Sequence, residues 1–391
     1  MGFFMRILYG GFDMNLCEFG WDNFFKTNFD SLENDEYIAA RVVSQQKNSY
    51  RLCSEYGTFN AKLAGKFLFT AGLKKDFPTV GDWVGIKLYE NNTQAIIHTV
   101  LPRKTAFVRK MPISGGRKIK NGIIVGGTTE EQVIAANVDI VFIISGLDEN
   151  FNLQRIERYI TLAYNSGAMP VIILNKIDCC KSVEECIHKV QDIAMGIEIH
   201  PISVLRNIGM DVFNKYLLPG RTSVFLGSSG VGKSTIINFL VGEVKQRTNS
   251  ISVFNGKGRH TTTSSQMIFH NSGSMIIDTP GLRELQLWGE QDALNQNFDD
   301  ILEIISCCKY KDCQHDKEPG CAIKQAFQTG KISHERYESY IKQFNELQRL
   351  NGRIKQSEKY LSAKAKLQAK FQLQKRRGNF QPDKINYKEK T

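Results

Sequence analysis

Between Tyr37 and Leu101 apolar and polar positions alternate in short runs rich in Val, Ile, Tyr and Phe. Runs of period two, bounded by Lys47-Asn48, Tyr56-Gly57 and Asn91-Asn92, are the mark of strands joined by turns. The expected strands are Ile38–Val43, Tyr50–Cys53, Phe59–Ala64, Asp82–Tyr89 and Gln94–Val100. Five short strands in this space suit a small antiparallel barrel, with the OB-fold as leading example; an SH3-like barrel leaves much the same trace. From Val138 the pattern changes to continuous apolar runs, Val138–Ser145, Pro170–Leu174, Thr222–Leu226 and Met275–Asp278, alternating with helical spacing. Such runs predict parallel strands covered on both faces, an α/β core. Beyond about Leu287 helical spacing dominates and no strand is expected, while residues 1–35 read as irregular around Trp21, Phe24 and Phe25.

Composition narrows this picture only a little. A chain of 391 residues with 41% hydrophobic and 10% aromatic content is that of a folded protein with room for two or three domains. No uninterrupted apolar stretch of about 18 residues is present, so no membrane span is expected, and Met1–Gly20 lacks the layout of a signal peptide. The net charge of +11 favours a polyanionic partner. Its placement says more, because from Arg353 onward 12 Lys or Arg face 3 Asp or Glu. Four of the nine cysteines fall within Cys307–Cys321 beside a histidine, which points to one metal site in a cytoplasmic protein rather than to disulfides.

The chemistry is concentrated at the ends of the expected parallel strands. Gly227-Ser228-Ser229-Gly230-Val231-Gly232-Lys233-Ser234, followed by Thr235, fits G-x-x-x-x-G-K-[ST] between a strand and a helix. The glycines let backbone N–H groups curl around phosphates, Lys233 reaches the β- and γ-phosphates, and the Ser234 hydroxyl is the expected Mg²⁺ ligand. Asn175-Lys176-Ile177-Asp178 follows another strand and selects the base. A carboxylate at Asp178 accepts from guanine N1–H and the exocyclic amine together, a donor pair that adenine lacks. Ser203 is placed to back this loop. Asp278-Thr279-Pro280-Gly281 ends a further strand, with Asp278 expected near Mg²⁺ and Gly281 at the γ-phosphate. In Gly258-Arg259-His260-Thr261-Thr262-Thr263 a threonine, Thr262 or Thr263, is a candidate Mg²⁺ cap. All of these lie at carboxyl ends of strands, where an open α/β sheet binds its ligands.

The order of the motifs is permuted. Most GTPases place the P-loop before N-K-x-D, whereas here N-K-x-D comes first, so a circular permutation is expected, with the switch at 278–281 leading into the C-terminal region. Leu282 stands where many GTPases carry a water-orienting glutamine, which predicts slow intrinsic turnover and stimulation by a partner. His260 is the candidate catalytic substitute; a solvent-facing or phosphate-touching loop histidine is the alternative.

Downstream, Cys313, His315 and Cys321 with Cys308 or Cys307 make a Cys₃His set of the kind that closes around a structural Zn²⁺. In the tail, Ala363, Leu367 and Phe371 form an apolar stripe among Lys364, Lys366, Lys370, Lys375, Arg376 and Arg377, either a solvated helix or an arm for a phosphate backbone. The Gly-rich stretch Lys104–Thr129, with six Lys or Arg and no acid, is a connector that is either solvated or touches phosphates.

This ordered set of motifs, with Leu16, Gly20-Trp21 and Gly81-Asp82-Trp83, resembles the RsgA (YjeQ/YloQ) family of bacterial ribosome small-subunit-dependent GTPases. The resemblance implies a circularly permuted α/β P-loop GTPase core, preceded by an OB-like β-barrel and followed by a mostly helical zinc-binding domain. The expected parts are 1–35, an N-terminal extension; 36–105, the barrel; 106–286, the permuted G domain; 287–350, the zinc domain; and 351–391, the basic tail. It also implies zinc ligands at Cys308, Cys313, His315 and Cys321. The implied activity is GTP hydrolysis to GDP and phosphate during late maturation of the 30S ribosomal subunit, stimulated by that subunit. GTP or GDP, Mg²⁺, Zn²⁺ and the 30S subunit with its rRNA are the implied partners of a monomeric protein without a membrane. A GTP-gated RNA-binding module in which hydrolysis is incidental is the alternative.

Overall fold

The computed structural model describes residues 15–46, 49–71, 73–89, 94–110, 118–120, 123–125, 131–247, 265–278, 291–349 and 352. Two units are distinguished: the described residues within 15–110 and 131–347 belong to the main one, and 118–120, 123–125, 348–349 and 352 to the other. Strands are β1 Ile38–Gln46, β2 Ser49–Ser54, β3 Gly57–Leu63, β4 Trp83–Tyr89, β5 Gln94–Val100, β6 Ala106–Lys110, β7 Lys118–Lys120, β8 Ile123–Val125, β9 Glu131–Ala136, β10 Ile140–Gly146, β11 Met169–Asn175, β12 Ile199–Pro201, β13 Thr222–Leu226, β14 Ser265–Phe269 and β15 Met275–Asp278. The helices used below are α1 Asn23–Asp30, α2 Gly65–Thr70, α3 Leu153–Ser166, α4 Val183–Gln191, α5 Lys233–Arg247, α6 Gln291–Asn297, α7 Asp299–Ser306, α8 Ala322–Gln328 and α9, residues 334–349.

Strands β1–β5 close on themselves in the order β1-β2-β3-β5-β4, with β4 returning to β1 and β3 running parallel to β5. The parallel pair and the helix α2 between β3 and β4 select the OB-like barrel over an SH3-like one. Alternation fills its interior with Ala40, Val42, Leu52, Phe59, Val84, Ile86 and Ile97. In front of the barrel the structure differs from the expectation of an irregular segment. Asp22 caps α1 by accepting from Phe24 N and Phe25 N. Trp21, Phe25 and Phe29 then share one side, and Trp21 meets buried Trp83 edge to face at 4.6 Å. The docking partner lies some sixty residues further along the chain, so local periodicity does not reveal the helix.

The second difference is in the basic connector. Its flanks pair as the antiparallel ribbon β6–β9, and 118–120 pairs with 123–125 as the hairpin β7–β8. The glycines and lysines between 111 and 129 dominate the composition there and mask the short apolar runs at Phe107 and Val133–Ala136.

Strands β12-β11-β10-β13-β15 are parallel, with β14 antiparallel at the end. Alternate residues of β10 face two different cores: Val141 and Ile143 pack under α3, whereas Phe142 and Ile144 pack with Phe213 and Ile236. Burying each such side chain contributes about 1.5–3 kcal/mol. α3 starts on Asn152, whose Oδ1 accepts from Arg155 N at 2.9 Å, and stops at left-handed Gly167. Its buried face mixes Ile156, Ile160 and Ala163 with Glu157 and Thr161. The polar pair is met by the C-terminal helices. Arg336 of α9 donates to Glu157 Oε1 at 2.7 Å and to both carboxylate oxygens of Asp300 at 2.8 Å. Asn297 Nδ2 donates to Thr161 Oγ1 at 2.8 Å, and Arg158 pairs twice with Glu346 at 2.9 Å.

At the foot of the parallel sheet lies Arg41, buried on β1. Its guanidinium donates to Phe19 O, Gly81 O, Asn137 O and Thr222 Oγ1, and no carboxylate lies within ion-pair distance among the described residues. Burial lowers its pKa to about 10, opposed by the charges of Asp139 and Asp82. Gly81 has φ +96°, and a Cβ there would sit 2.0 Å from Ala136 O, so this close approach excludes a side chain. Arg41→Met should remove four buried donor contacts at once, leaving Gly81 O only its bond from Asn137 Nδ2, and lower stability by about 3 kcal/mol. Chemical denaturation followed by tryptophan fluorescence measures it, and an unchanged midpoint would refute the assignment.

Candidate functional site

Strand β13 is buried along its length and ends at Leu226, so the chain emerges from the sheet at Gly227. Gly227, Gly230 and Gly232 have positive φ, and α5 begins at Lys233. The turn therefore has the backbone form of a phosphate cradle at a helix N-terminus. Buried Lys233 folds across it and donates to Gly227 O and Ser228 O, the position of a lysine ready to exchange carbonyl partners for phosphate oxygens. Ser229 and Gly230 are exposed at the lip, and Ser234 and Thr235 are exposed on the first turn of α5.

Next to this turn, at the end of β11, lies the Asn175–Asp178 loop. Asn175 is buried; its Nδ2 donates to Val231 O at 2.9 Å and its Oδ1 accepts from Val204 N at 3.3 Å. One amide thus joins the Asn175–Asp178 loop, the Gly227–Lys233 turn and the Ser203 loop. A Cβ at Gly232 would lie 2.3 Å from Asn175 Nδ2, so this contact needs glycine there. Lys176 takes a left-handed conformation with φ +67° and donates to Asp148 Oδ2 at 2.6 Å. Asp178 accepts from the Ser203 hydroxyl, which holds its pKa below the usual carboxylate value. Ser203 Oγ in turn accepts from Arg206 N at 3.2 Å. Ile177 packs partly buried against the core and anchors the loop between these polar residues.

The sheet thus brings together Asn175–Asp178, Ser203 and Gly227–Thr235, as their place after strands predicts. Asp278 closes β15, beside β13 in the sheet. His260, Thr262 and Gly281 lie outside the described residues. Two neighbours escape motif reading. Asp148 lies two residues past the end of β10 and orients Lys176; its position after a strand was the available signal. Arg155, on the first turn of α3, donates from Nη1 to Ser228 Oγ at 3.0 Å, and nothing in the linear sequence marks it.

Away from this site, Cys308, Cys313, His315 and Cys321 gather with one ligand atom each within 4.8 Å of the others. His315 Nδ1 is 3.6 Å from Cys308 Sγ and 3.5 Å from Cys321 Sγ. Thiolates around a tetrahedral ion with metal–sulfur bonds of about 2.3 Å stand about 3.8 Å apart, so the set fits a metal ion. Cys307 is exposed and its thiol meets Ser306, which leaves Cys308 as the first ligand. His315 reaches its place through a left-handed backbone, φ +59°. Burial pushes the Cys313 thiol up to about 11, a cost that a bound cation removes by holding the thiolate. The loop rests on Ile301, Ile304 and Ile323 of α7 and α8.

Comparison with known proteins agrees with this architecture. The model of the family described as RsgA GTPase matches residues 116–288. The small ribosomal subunit biogenesis GTPase RsgA of Opitutus terrae is 38% identical, across 84% of this chain and 89% of that protein. The protein of the same description from Syntrophotalea carbinolica is 40% identical, across 85% and 90%. Among solved structures, YjeQ from Thermotoga maritima superposes with a TM-score of 0.57 at 26% identity, covering 80% of this chain and 98% of that one. YloQ, a circularly permuted GTPase, superposes with a TM-score of 0.54 at 22% identity over 80% and 96%, and so shares the fold. With the permuted motif order, the OB-like barrel and the Cys₃His cluster already in place, these likenesses mean that the chain belongs to the RsgA GTPase family.

Proposed function

We propose that this chain hydrolyses GTP to GDP and phosphate while bound to the small ribosomal subunit, late in its maturation, and that the subunit stimulates turnover. The observation that carries the nucleotide part is the Asn175 bridge, which ties a guanine-reading loop to a P-loop through Val231 O. The ribosomal part is supported by the relatives named above, which are small ribosomal subunit biogenesis GTPases. Among the described residues no helix is long and apolar enough to cross a membrane. A cytoplasmic monomer that meets rRNA through its basic connector and tail is the corresponding picture.

In this scheme Asp178 accepts from guanine N1–H and the 2-amino group, oriented by Ser203, while the aliphatic stem of Lys176 lies along the base. The N–H groups of Gly227–Thr235 and the Lys233 ammonium bind the phosphates. Ser234 and Asp278, with Thr262, are the residues to hold Mg²⁺, which when bound neutralises charge on the β- and γ-phosphates. Gly281 N–H is the proposed backbone donor to the γ-phosphate. Leu282 offers no hydrogen bond to the attacking water, so His260 is proposed to orient it once the subunit has set the loop. The Cys₃His cluster holds one structural Zn²⁺ that orders residues 308–321 on α7 and α8.

Three measurements follow from these roles. Multiple-turnover phosphate release should rise when 30S subunits are added and fall as salt rises, since phosphate contacts weaken steeply with ionic strength. A rate indifferent to the subunits would instead favour a GTP-gated binding module. Asp178→Asn replaces an acceptor with a donor. GTP affinity should drop by about 100-fold and xanthosine triphosphate affinity should rise, read by equilibrium competition; unchanged GTP binding would remove Asp178 from base recognition. Elemental analysis should find one zinc per chain, and Cys321→Ser should release it together with hydrogen-exchange protection at 301–328. Full protection without zinc would refute the structural role.

A further inference from the structure

Arg155 is a cation at the phosphate loop that the motifs do not account for. Its backbone is fixed at the start of α3, where Asn152 Oδ1 accepts from Arg155 N at 2.9 Å. Its half-buried side chain crosses to the P-loop and donates from Nη1 to Ser228 Oγ at 3.0 Å. No carboxylate lies within ion-pair distance of this guanidinium among the described residues, and no other side-chain hydrogen bond of Arg155 is found among them. The neighbouring charges are already committed elsewhere. Asp148 pairs with Lys176 at 2.6 Å, and Arg158, three residues along α3, pairs with Glu346. Arg155 thus brings an unneutralised positive charge, with several free N–H donors, to a loop built to wrap a polyanion. A planar guanidinium suits phosphate oxygens, because it offers two parallel N–H donors to a pair of them.

The chemistry of the site gives such a charge a use. In hydrolysis the water oxygen bonds to the γ-phosphorus as the bond to the β-phosphate oxygen breaks. Negative charge moves onto the departing GDP, and the water proton leaves with the phosphate. An arginine supplied in cis or in trans stabilises that charge and transfers no proton itself. Leu282 removes the usual water-orienting side chain, so electrostatic stabilisation carries a larger share of the remaining catalysis. α3 is rigidly set on its other face, where Glu157 and Thr161 meet Arg336, Asn297 and Gln343. The approach of Arg155 to the loop is therefore determined by a packed helix and not by a loose side chain on a surface.

We propose that Arg155 is a catalytic residue acting in cis, which donates to the terminal phosphate of bound GTP and is steered there by the Ser228 hydroxyl. This rests on the assignment of the P-loop as a GTP site, and the experiment separates the two. The full-length chain is compared with Arg155→Gln and Arg155→Lys in three assays. These are fluorescent GDP binding, single-turnover GTP hydrolysis at saturating protein with and without 30S subunits, and binding of GDP with aluminium fluoride as a transition-state mimic. Arg155→Gln should bind GDP within twofold of the native chain yet hydrolyse GTP about 100-fold more slowly, with a matching loss of affinity for the mimic. Arg155→Lys should recover part of both, because it restores charge without the fork. Hydrolysis by Arg155→Gln within threefold of native, in a native chain that does turn over, would overturn the role of Arg155 alone. Equal losses of GDP, GTP and mimic affinity together with a lower unfolding midpoint would make Arg155 structural and also overturn it. A native chain that neither binds nor hydrolyses GTP would overturn the GTP site and, with it, this role.

Discussion

A single buried guanidinium, Arg41, fixes how the parts of the main unit meet. It draws donors to one point from a barrel strand and spends them on acceptors from the N-terminal segment, the turn before β4, the start of β10 and the foot of β13. A charge that deep is tolerated only when it is fully hydrogen-bonded, and here the partners are carbonyls and a hydroxyl instead of an acid. Because each acceptor belongs to a different segment, none can shift without stranding the others. The constraint acts at the amino ends of the parallel strands. The nucleotide loops at the opposite ends remain free of it.

The α/β core was legible because its signals are local. Continuous apolar runs gave β10, β11, β13 and β15 to within a residue or two, and the motif loops follow those strands directly. The five barrel strands were equally visible from alternation, although choosing OB-like over SH3-like needed the β3–β5 pairing, which no local pattern encodes. What stayed hidden depends on distant partners. The helix α1 is stabilised by Trp83, and β6 becomes a strand only by pairing with β9 across a basic, glycine-rich insertion.

The same division holds at the candidate site. Asn175 and Asp178 could be located from sequence by the N-K-x-D spacing after a strand, and Ser203 by its place after the run Ile197–Ile202. The polar stripe of α3 could not. Glu157 and Thr161 look like a break in amphipathicity until Arg336 and Asn297 are brought against them from the C-terminal helices. Burial pushes the Glu157 carboxyl up while Arg336 favours its charged form, so the pair depends on being closed over. Such a contact favours one seating of the C-terminal helices on α3 over neighbouring ones, a specificity that apolar packing alone supplies less sharply.

The β14 edge of the parallel sheet is covered at its start by the barrel. An edge strand presents N–H and C=O groups to a neighbour, and at the first two residues of β14 the neighbour is β1 of the barrel, with Ser44 and Gln45 opposite Gln266 and Ser265. The hairpin β14–β15 therefore has a neighbour on each flank, and the stretches 251–264 and 279–290 are tethered to its two ends. A pull on the barrel reaches that hairpin through backbone hydrogen bonds, with no flexible linker between to absorb it. Whatever grips the barrel thereby also bears on Ser265 and Asp278, the two outer ends of that hairpin.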